Sequence, residues 1–310
     1  MASLPRVLMW HYVRSPGAEP RTGYRGVDPT LFAAQLDRIC RYATPVGWPA
    51  VLASISGAAA LPRDAVLLTF DDGLIDHHRA VLPALSARGL SGVFFVLART
   101  PGDGLTLGHR LHVLLGRWSA ERVRAEVEHR LSEGDRARYR DARLAMARSK
   151  PEDRDDVWKR PLQRELAAAV DPILARLVDD VVGPDADVAD RLYLSAGQLR
   201  DLVDAGMTIG GHGRTHPWLD RVYGSRVRDE ISASAAQLAT LAPGPWPFAY
   251  PYGAAPRSIG ALLAAAGFAA GFTTAATQRS DRYHIGRVDG DDPDWLAALG
   301  FAAPSGDAGQ

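Results

Sequence analysis

The sequence predicts an α/β fold in which largely parallel strands form a sheet or a barrel. Two continuous apolar runs of strand length, Ala65–Phe70 and Gly92–Leu97, fit strands that are buried on both faces. Segments with recognisable helix ends alternate with these runs and with further strands. The 310 residues are 46% hydrophobic, which suffices for a globular core, and a single cysteine, Cys40, excludes a disulfide framework.

The first hundred residues alternate strands with helices. The predicted elements are, in order, strand Val7–Val13, helix Pro29–Tyr42, strand Ala65–Phe70, helix Asp76–Arg88 and strand Gly92–Leu97. Asp28 can cap the first helix, and Pro29 suits its first position because that N–H has no partner within the helix. Gly89 ends the second helix.

The same alternation resumes after a long interruption. The predicted elements are helix Ser195–Ala205, strand Met207–Gly211, helix Ser225–Leu241, strand Pro247–Tyr250, helix Pro256–Ala266, strands Ala270–Thr274 and His284–Asp289, and a short helix from Pro293. The interruption, about 101–194, is rich in charged residues and alanine, with apolar residues at helical spacing. We interpret it as a helical insertion in one domain that spans 1–310. We expect this insertion to be a solvated flap. The alternative is a lid or a contact in a homo-oligomer.

Net charge and terminal pattern exclude several classes of function. Lys+Arg and Asp+Glu both number 36, so bulk positive charge cannot hold the chain to nucleic acid or to a membrane surface. No uncharged apolar stretch reaches the roughly 20 residues that cross a bilayer. The first residues do not show the pattern of a signal peptide. We therefore expect a cytoplasmic protein without a nucleic-acid or membrane partner.

Two adjacent carboxylates follow the predicted strand Ala65–Phe70. Asp71 and Asp72 lie in the sequence TFDDG, at the strand end where ligands bind in parallel α/β folds. Such a pair is costly unless a positive group lies nearby, and a metal ion would serve. One aspartate could ligate the ion while the other transfers protons. The alternative is an ordinary Asp-Asp-Gly turn.

A pair of histidines follows another predicted strand. His212 and His216, in HGRTH, are four residues apart and can bind one metal from a single turn. Gly213 occupies the position of the glutamate in the H-E-x-x-H motif, so a general base must come from elsewhere, and Asp71 is available.

The segment AYPYG forms a third motif after a strand. Its Pro-Tyr-Gly turn, around Tyr252, exposes backbone N–H groups that could stabilise a developing oxyanion. The alternative is an ordinary tight turn.

Together, the three segments resemble, in order, the motifs of the polysaccharide deacetylase family, also called the NodB-homology deacetylases, which are metal-dependent carbohydrate esterases and deacetylases. The family motifs are T-F-D-D-G, H-[ST]-x-x-H and R-x-P-[YFW]-G, and this chain has TFDDG, HGRTH and AYPYG. The resemblance covers about 7–97 and 194–288. It implies a distorted (β/α)7 barrel that removes an acyl group, usually N-acetyl, from an amino sugar.

The resemblance also implies roles for individual residues. Asp71 matches the catalytic base, and Asp72, His212 and His216 match the ligands of one divalent ion. The backbone N–H of Tyr252 matches the oxyanion donor. We expect zinc, with nickel or cobalt as alternatives.

The chain departs from the family pattern at two places. The C-terminal L-x-H segment that carries the general acid is missing, and WHYV resembles an N-terminal [YW]-H-x-[VI] segment of a family subset. We assign His11 as the general acid, with His284 as the second choice. Ala249 replaces the motif arginine that orients the base, and we hypothesise that Arg287 takes its place.

These features predict a metal-dependent hydrolase that removes an N-acetyl group from an amino sugar or a related small metabolite. Within the same fold, the motifs also fit hydrolysis of cyclic or formyl amides, or of O-acetyl esters. The alternative from another class is a degenerate carbohydrate-binding module. We interpret the segment Asp291–Trp295, which fits a D-x-x-D-W motif, as a chance match or a helix N-cap.

Overall fold

The predicted strands form one parallel sheet in the computed structural model, which describes residues 4–24, 26–149, 154–256, 258–275 and 281–301. The strands are β1 Arg6–Trp10, β2 Thr44–Pro45, β3 Ala65–Phe70, β4 Val93–Val96, β5 Thr208–Gly211, β6 Trp246–Ala249, β7 Phe268–Phe272 and β8 Val288–Asp289. Their order is β7-β6-β5-β4-β3-β1-β8, and β2 pairs with β3. Strand β3 is buried along its whole length, as expected for a continuous apolar run.

The segment before β8 brings the two ends of this sheet together. Ile285 forms a parallel bridge with Phe272 of β7, and three residues later Val288 pairs with Leu8 of β1. The described strands β1 and β3–β8 therefore curl into a distorted barrel, which confirms the predicted fold class. The carboxyl ends of these parallel strands share one rim.

The chain divides into two compact units. Unit 1 comprises Met1–Pro16, Gly26–Ala98 and Tyr193–Gln310, and it contains the sheet. Unit 2 comprises Gly17–Arg25 and Arg99–Leu192. The predicted insertion at about 101–194 lies close to the second segment of unit 2. The prediction of one domain spanning 1–310 stays a prediction.

The helices follow the predicted segments with few exceptions. They are α1 Pro29–Tyr42, α2 Trp48–Ile55, α3 Leu82–Ser86, α4 Leu107–Leu115, α5 Ala120–Arg130, α6 Glu133–Ser149, α7 Arg154–Arg164, α8 Ala167–Val181, α9 Asp185–Leu192, α10 Ala196–Asp204, α11 Ser225–Ala239, α12 Ile259–Ala265 and α13 Trp295–Ala298. Asp28 caps α1 by accepting a hydrogen bond from the Thr30 N–H at 2.9 Å, as predicted. A capping box formed by Ser195 and Gln198 begins α10.

The sequence analysis missed or misjudged three local features. It assigned no element to β2 or α2, although Pro49 marks the first turn of α2. The predicted helix Asp76–Arg88 is divided into a π-helical turn, His77–Val81, and α3. Such π-turns are rare and occur often at functional sites.

In its described residues, unit 2 contains the six helices α4–α9. The apolar residues whose spacing predicted helices are buried, and they are Val123, Val127, Leu131, Leu162, Leu166 and Val170. Arg110 forms ion pairs with Asp171 and Asp185 in the same unit. The proposed roles as a lid or an oligomer contact stay predictions. Within the described part of the chain, no helix combines the length and apolarity that crossing a membrane requires.

Candidate active site

Left-handed backbone marks the rim of the sheet in unit 1. Among the described residues, three that are not glycine have positive φ: Asp72 at 77°, His216 at 57° and Tyr252 at 56°. Each such conformation costs roughly 1–3 kcal/mol and persists only where the surroundings impose it. All three belong to the motifs that the sequence analysis singled out, so the strain is confined to one candidate site.

Asp72, His212 and His216 converge at this rim. One potential ligand atom from each residue lies within 4.8 Å of the others. Nε2 of His212 and Nε2 of His216 are each 3.3 Å from Oδ1 of Asp72. Residues 4 to 144 positions apart in sequence thus present one carboxylate and two imidazoles to a common point.

The orientation of His212 suits a ligand. It directly follows β5, and its Nδ1 lies 2.8 Å from the carbonyl oxygen of Ala249 at the end of β6. Because a carbonyl only accepts, Nδ1 carries a proton, and Nε2 is the ring nitrogen that faces Asp72 and can bind an ion once it is deprotonated. Burial lowers the pKa of His212, but hydrogen bonding to Asp72 and the charges of Asp71 and Asp72 outweigh it, so the pKa is raised.

These three side chains fit a divalent metal ion. A carboxylate and two neutral imidazoles are the donor set of many catalytic zinc sites, and three protein ligands leave coordination positions open. The predicted ligands therefore lie where an ion could contact all three. Asp71, the adjacent acid, is directed to a different partner.

Asp71 is held by Arg287. Nη1 and Nη2 of Arg287 donate hydrogen bonds to Oδ1 and Oδ2 of Asp71, both at 2.7 Å. The guanidinium also donates from Nε to the carbonyl oxygen of Thr273 at 3.0 Å, and its Cζ lies 5.5 Å from the ring centroid of Phe95. Arg287 therefore contacts Asp71, while its hypothesised role in place of the arginine missing at Ala249 stays a prediction.

This pairing sets the charge of Asp71. Burial alone would raise the pKa of its carboxyl group, but Arg287, His212 and His11 lower it by more. The net effect is a lowered pKa, so Asp71 is ionised at neutral pH. An ionised acid that does not ligate a metal can accept a proton.

His11 also lies near Asp71. Its Nε2 is 4.0 Å from Oδ2 of Asp71, and its side chain is 27% exposed. Its backbone carbonyl accepts a hydrogen bond of 2.9 Å from Nε2 of His77. Burial lowers the pKa of His77 to about 4, so this histidine is neutral at pH 7 and serves as a fixed donor. His284, the second choice for general acid, pairs instead with Asp281 at 3.1 Å.

The segment Asp291–Trp295 leads into α13, and its interpretation as a chance match or an N-cap stays a prediction. Burial, followed by the charge of Asp289, raises the pKa of Asp291 to about 7, and the charge of His11 lowers it. Asp294 is the residue at the N-cap position of α13, but its side chain makes no capping hydrogen bond.

Tyr252 completes the rim from the turn Pro251–Gly253. Its ring packs edge-on against His216, with centroids 4.5 Å apart, and stacks on Trp218 at 4.5 Å and 6°. The Gly253 N–H donates to the carbonyl oxygen of Tyr250 at 2.8 Å, which closes the turn. These contacts hold the left-handed backbone of Tyr252 beside the histidine loop.

The comparison with protein families agrees with this geometry. Residues 181–271 match the family model described as polysaccharide deacetylase, a stretch that contains both histidines and the Pro-Tyr-Gly turn. This part of the chain is similar to the polysaccharide deacetylase family. The polysaccharide deacetylase family consists of metal-dependent enzymes, in agreement with the Asp/His/His cluster. No curated protein sequence matches the chain.

Solved structures of polysaccharide deacetylases and related proteins share the fold. IcaB from Ammonifex degensii is 18% identical with a TM-score of 0.58, and the match covers 96% of this chain and 95% of IcaB. The deacetylase PplD from Streptococcus pyogenes is 16% identical with a TM-score of 0.57, covering 93% of each chain. The BpsB deacetylase domain from Bordetella bronchiseptica is 16% identical with a TM-score of 0.53, covering 92% of this chain and 95% of that domain. At these identities, the likeness establishes the fold.

Proposed function

We propose that this protein hydrolyses the N-acetyl group of an amino sugar or a related small metabolite. The observation that carries the proposal is that two adjacent acids, Asp71 and Asp72, have different partners. Asp72 joins two histidines in a ligand set, while Arg287 holds Asp71 ionised next to it. Amide hydrolysis needs such a pair, because a strong electrophile and a separate base must act on one water molecule.

Asp72, His212 and His216 would hold one divalent ion, for which we propose zinc, with nickel or cobalt as alternatives. When bound, such an ion acts as a Lewis acid that polarises a carbonyl and makes a water molecule more acidic. Everything else in the reaction falls to side chains and backbone of this chain.

Asp71 accepts the proton from the attacking water. Its lowered pKa keeps the carboxylate available at neutral and mildly acidic pH, and the two hydrogen bonds from Arg287 fix its orientation. As the water oxygen bonds to the amide carbon, negative charge develops on the carbonyl oxygen. In our proposal, the N–H of Tyr252 donates a hydrogen bond to that oxygen.

His11 protonates the departing nitrogen. As the C–N bond breaks, the amine leaves with a proton from the imidazole, and the acyl group leaves as a carboxylate. The position of Nε2, 4.0 Å from Asp71 Oδ2, supports this role because the base and the acid must flank the same carbon.

Replacing His11 with Ala should therefore impair reactions in proportion to how much the leaving group needs a proton. We expect kcat for an N-acetyl sugar to fall by about 10²- to 10⁴-fold. Hydrolysis of p-nitrophenyl acetate should fall much less, because p-nitrophenolate leaves without a proton. The exposed His129→Ala variant is the control. Equal losses on both substrates would assign His11 another role.

Hydrolysis of a panel of purified compounds, followed by release of acetate or formate or by ring opening, tests the proposed function. The panel contains N-acetyl amino sugars, O-acetyl sugars, cyclic amides and N-formyl amines, each assayed with zinc, nickel or cobalt. We expect the N-acetyl sugars to react fastest. Preference for another group would move the chain to one of the alternative hydrolases. Sugar binding without turnover on any compound would favour the degenerate binding module.

A further inference from the structure

Glu230 of α11 is a buried acid beneath the loop that joins His212 to His216. Its side chain is 8% exposed. Oε2 accepts hydrogen bonds from the backbone N–H groups of Arg214 at 2.6 Å and Thr215 at 3.0 Å. Oε1 accepts a third from Oγ1 of Thr215 at 2.5 Å. One carboxylate thus holds two successive backbone N–H groups and one side chain of this loop.

The side-chain hydrogen bonds of Glu230 join α11 to the loop between the two histidines. A buried carboxylate costs several kcal/mol unless hydrogen bonds replace its water, and hydrogen bonds to an ionised acceptor are about twice as strong as neutral ones. All three donors come from the two residues midway between the histidines. The hydrogen bonds that this acid accepts therefore stabilise the conformation of the histidine loop.

The loop needs such a constraint. Gly213 has φ +75° and His216 has φ +57°, so both depart from the right-handed backbone that residues usually adopt. A Cβ atom at Gly213 would lie 2.9 Å from Oε2 of Glu230, so the loop lies directly against this carboxylate. The carbonyl oxygen of Gly213 accepts a hydrogen bond of 2.8 Å from the N–H of Ala98, which fixes its other side.

We propose that Glu230 is a positioning residue for the metal-binding histidines. It holds the backbone of Arg214 and Thr215 so that His216 keeps its left-handed conformation and its Nε2 stays beside Asp72. The proposal rests on the proposed function, because it assumes that these histidines bind a metal. It concerns the affinity and geometry of the site before any substrate binds.

Zinc affinity of the metal-stripped protein tests this role. We expect Glu230→Ala to weaken zinc binding by roughly ten- to a hundredfold, the usual effect of losing a partner that orients metal ligands. Glu230→Gln should recover most of the affinity, because its amide oxygen can accept from the backbone and its amide nitrogen can donate to Thr215. Asp229→Ala, an exposed acid on the same helix, should bind zinc like the wild type.

Cobalt supplies the second readout. The visible spectrum of bound Co²⁺ reports the arrangement of its ligands, so we expect Glu230→Ala to change the spectrum and Glu230→Gln to restore it. A residue that served only the stability of the fold would lower the unfolding temperature and leave the spectrum of the folded protein unchanged. Thr215→Val, at an exposed residue, removes only the third hydrogen bond. It replaces Glu230→Ala in both measurements if that variant does not fold.

Two results would overturn the proposal. One is wild-type zinc affinity and a wild-type cobalt spectrum in folded Glu230→Ala, or in Thr215→Val if the first variant does not fold. The other is a loss in Glu230→Gln as large as that in Glu230→Ala, which would mean that charge and not hydrogen bonding matters. Failure of the wild type itself to bind zinc or cobalt would instead refute the proposed function.

Discussion

Asp71→Asn should lower kcat for the preferred substrate by about two to four orders of magnitude while the protein retains its full metal content. The amide cannot accept the proton of the attacking water, whereas Asp72, His212 and His216 remain in place. Steady-state kinetics and elemental analysis of the same preparation measure both quantities. Metal loss in parallel with activity would mean that Asp71 is itself a ligand.

Stability must be followed in this variant, because Asn leaves the buried guanidinium of Arg287 without its carboxylate. Removing one member of a buried ion pair typically costs about 3–5 kcal/mol. Thermal unfolding and circular dichroism therefore establish that the loss of kcat belongs to folded protein. The double variant Asp71→Asn with Arg287→Met removes both charges and should regain most of the stability, while kcat stays low.

Arg287→Met should have the second largest effect, and the size of that effect depends on pH. In the wild type, the lowered pKa of Asp71 means that its ionisation stabilises the fold above the ordinary carboxyl pKa, and this stabilisation is lost as pH falls through the lowered value. Without the guanidinium, burial dominates and raises the pKa of Asp71. The acid limb of the kcat profile should move to higher pH, and the protein should be destabilised by about 3–5 kcal/mol at neutral pH.

The pH dependence separates this account from simple misfolding. As pH falls and Asp71 becomes protonated, the stability gap between Arg287→Met and the wild type should narrow. The exposed Arg282→Met, on the segment leading to Ile285, is the matched control and should keep the wild-type profile. An acid limb that does not move in Arg287→Met would show that Arg287 does not set the charge of the base.

Local signals were sufficient to predict most of the fold. The continuous apolar run Ala65–Phe70 became β3 with the same bounds, and Asp28 with Pro29 gave the start of α1. The predicted strand His284–Asp289 forms a regular strand only at Val288–Asp289. The reason is that Ile285 pairs with β7, whereas Val288 and Asp289 pair with β1. That division depends on how the sheet curls, which no local pattern contains.

The candidate site, like the fold, could be predicted from the sequence only in part. Motif spacing predicted the three clustered side chains as metal ligands, and the absence of arginine at Ala249 led to the hypothesis for Arg287. Glu230 was not predicted, because a glutamate on an amphipathic helix is usually exposed. Only the tertiary structure shows that it is buried and bonded to the histidine loop.

Metal stoichiometry tests the central claim most directly. Wild-type protein, Asp72→Ala and Asp71→Asn are stripped with a chelator, supplied with zinc, desalted and measured by elemental analysis. The account predicts one zinc per chain in the wild type and in Asp71→Asn, and almost none in Asp72→Ala. Wild-type protein that retains no metal, or Asp72→Ala that retains as much as the wild type, would contradict it.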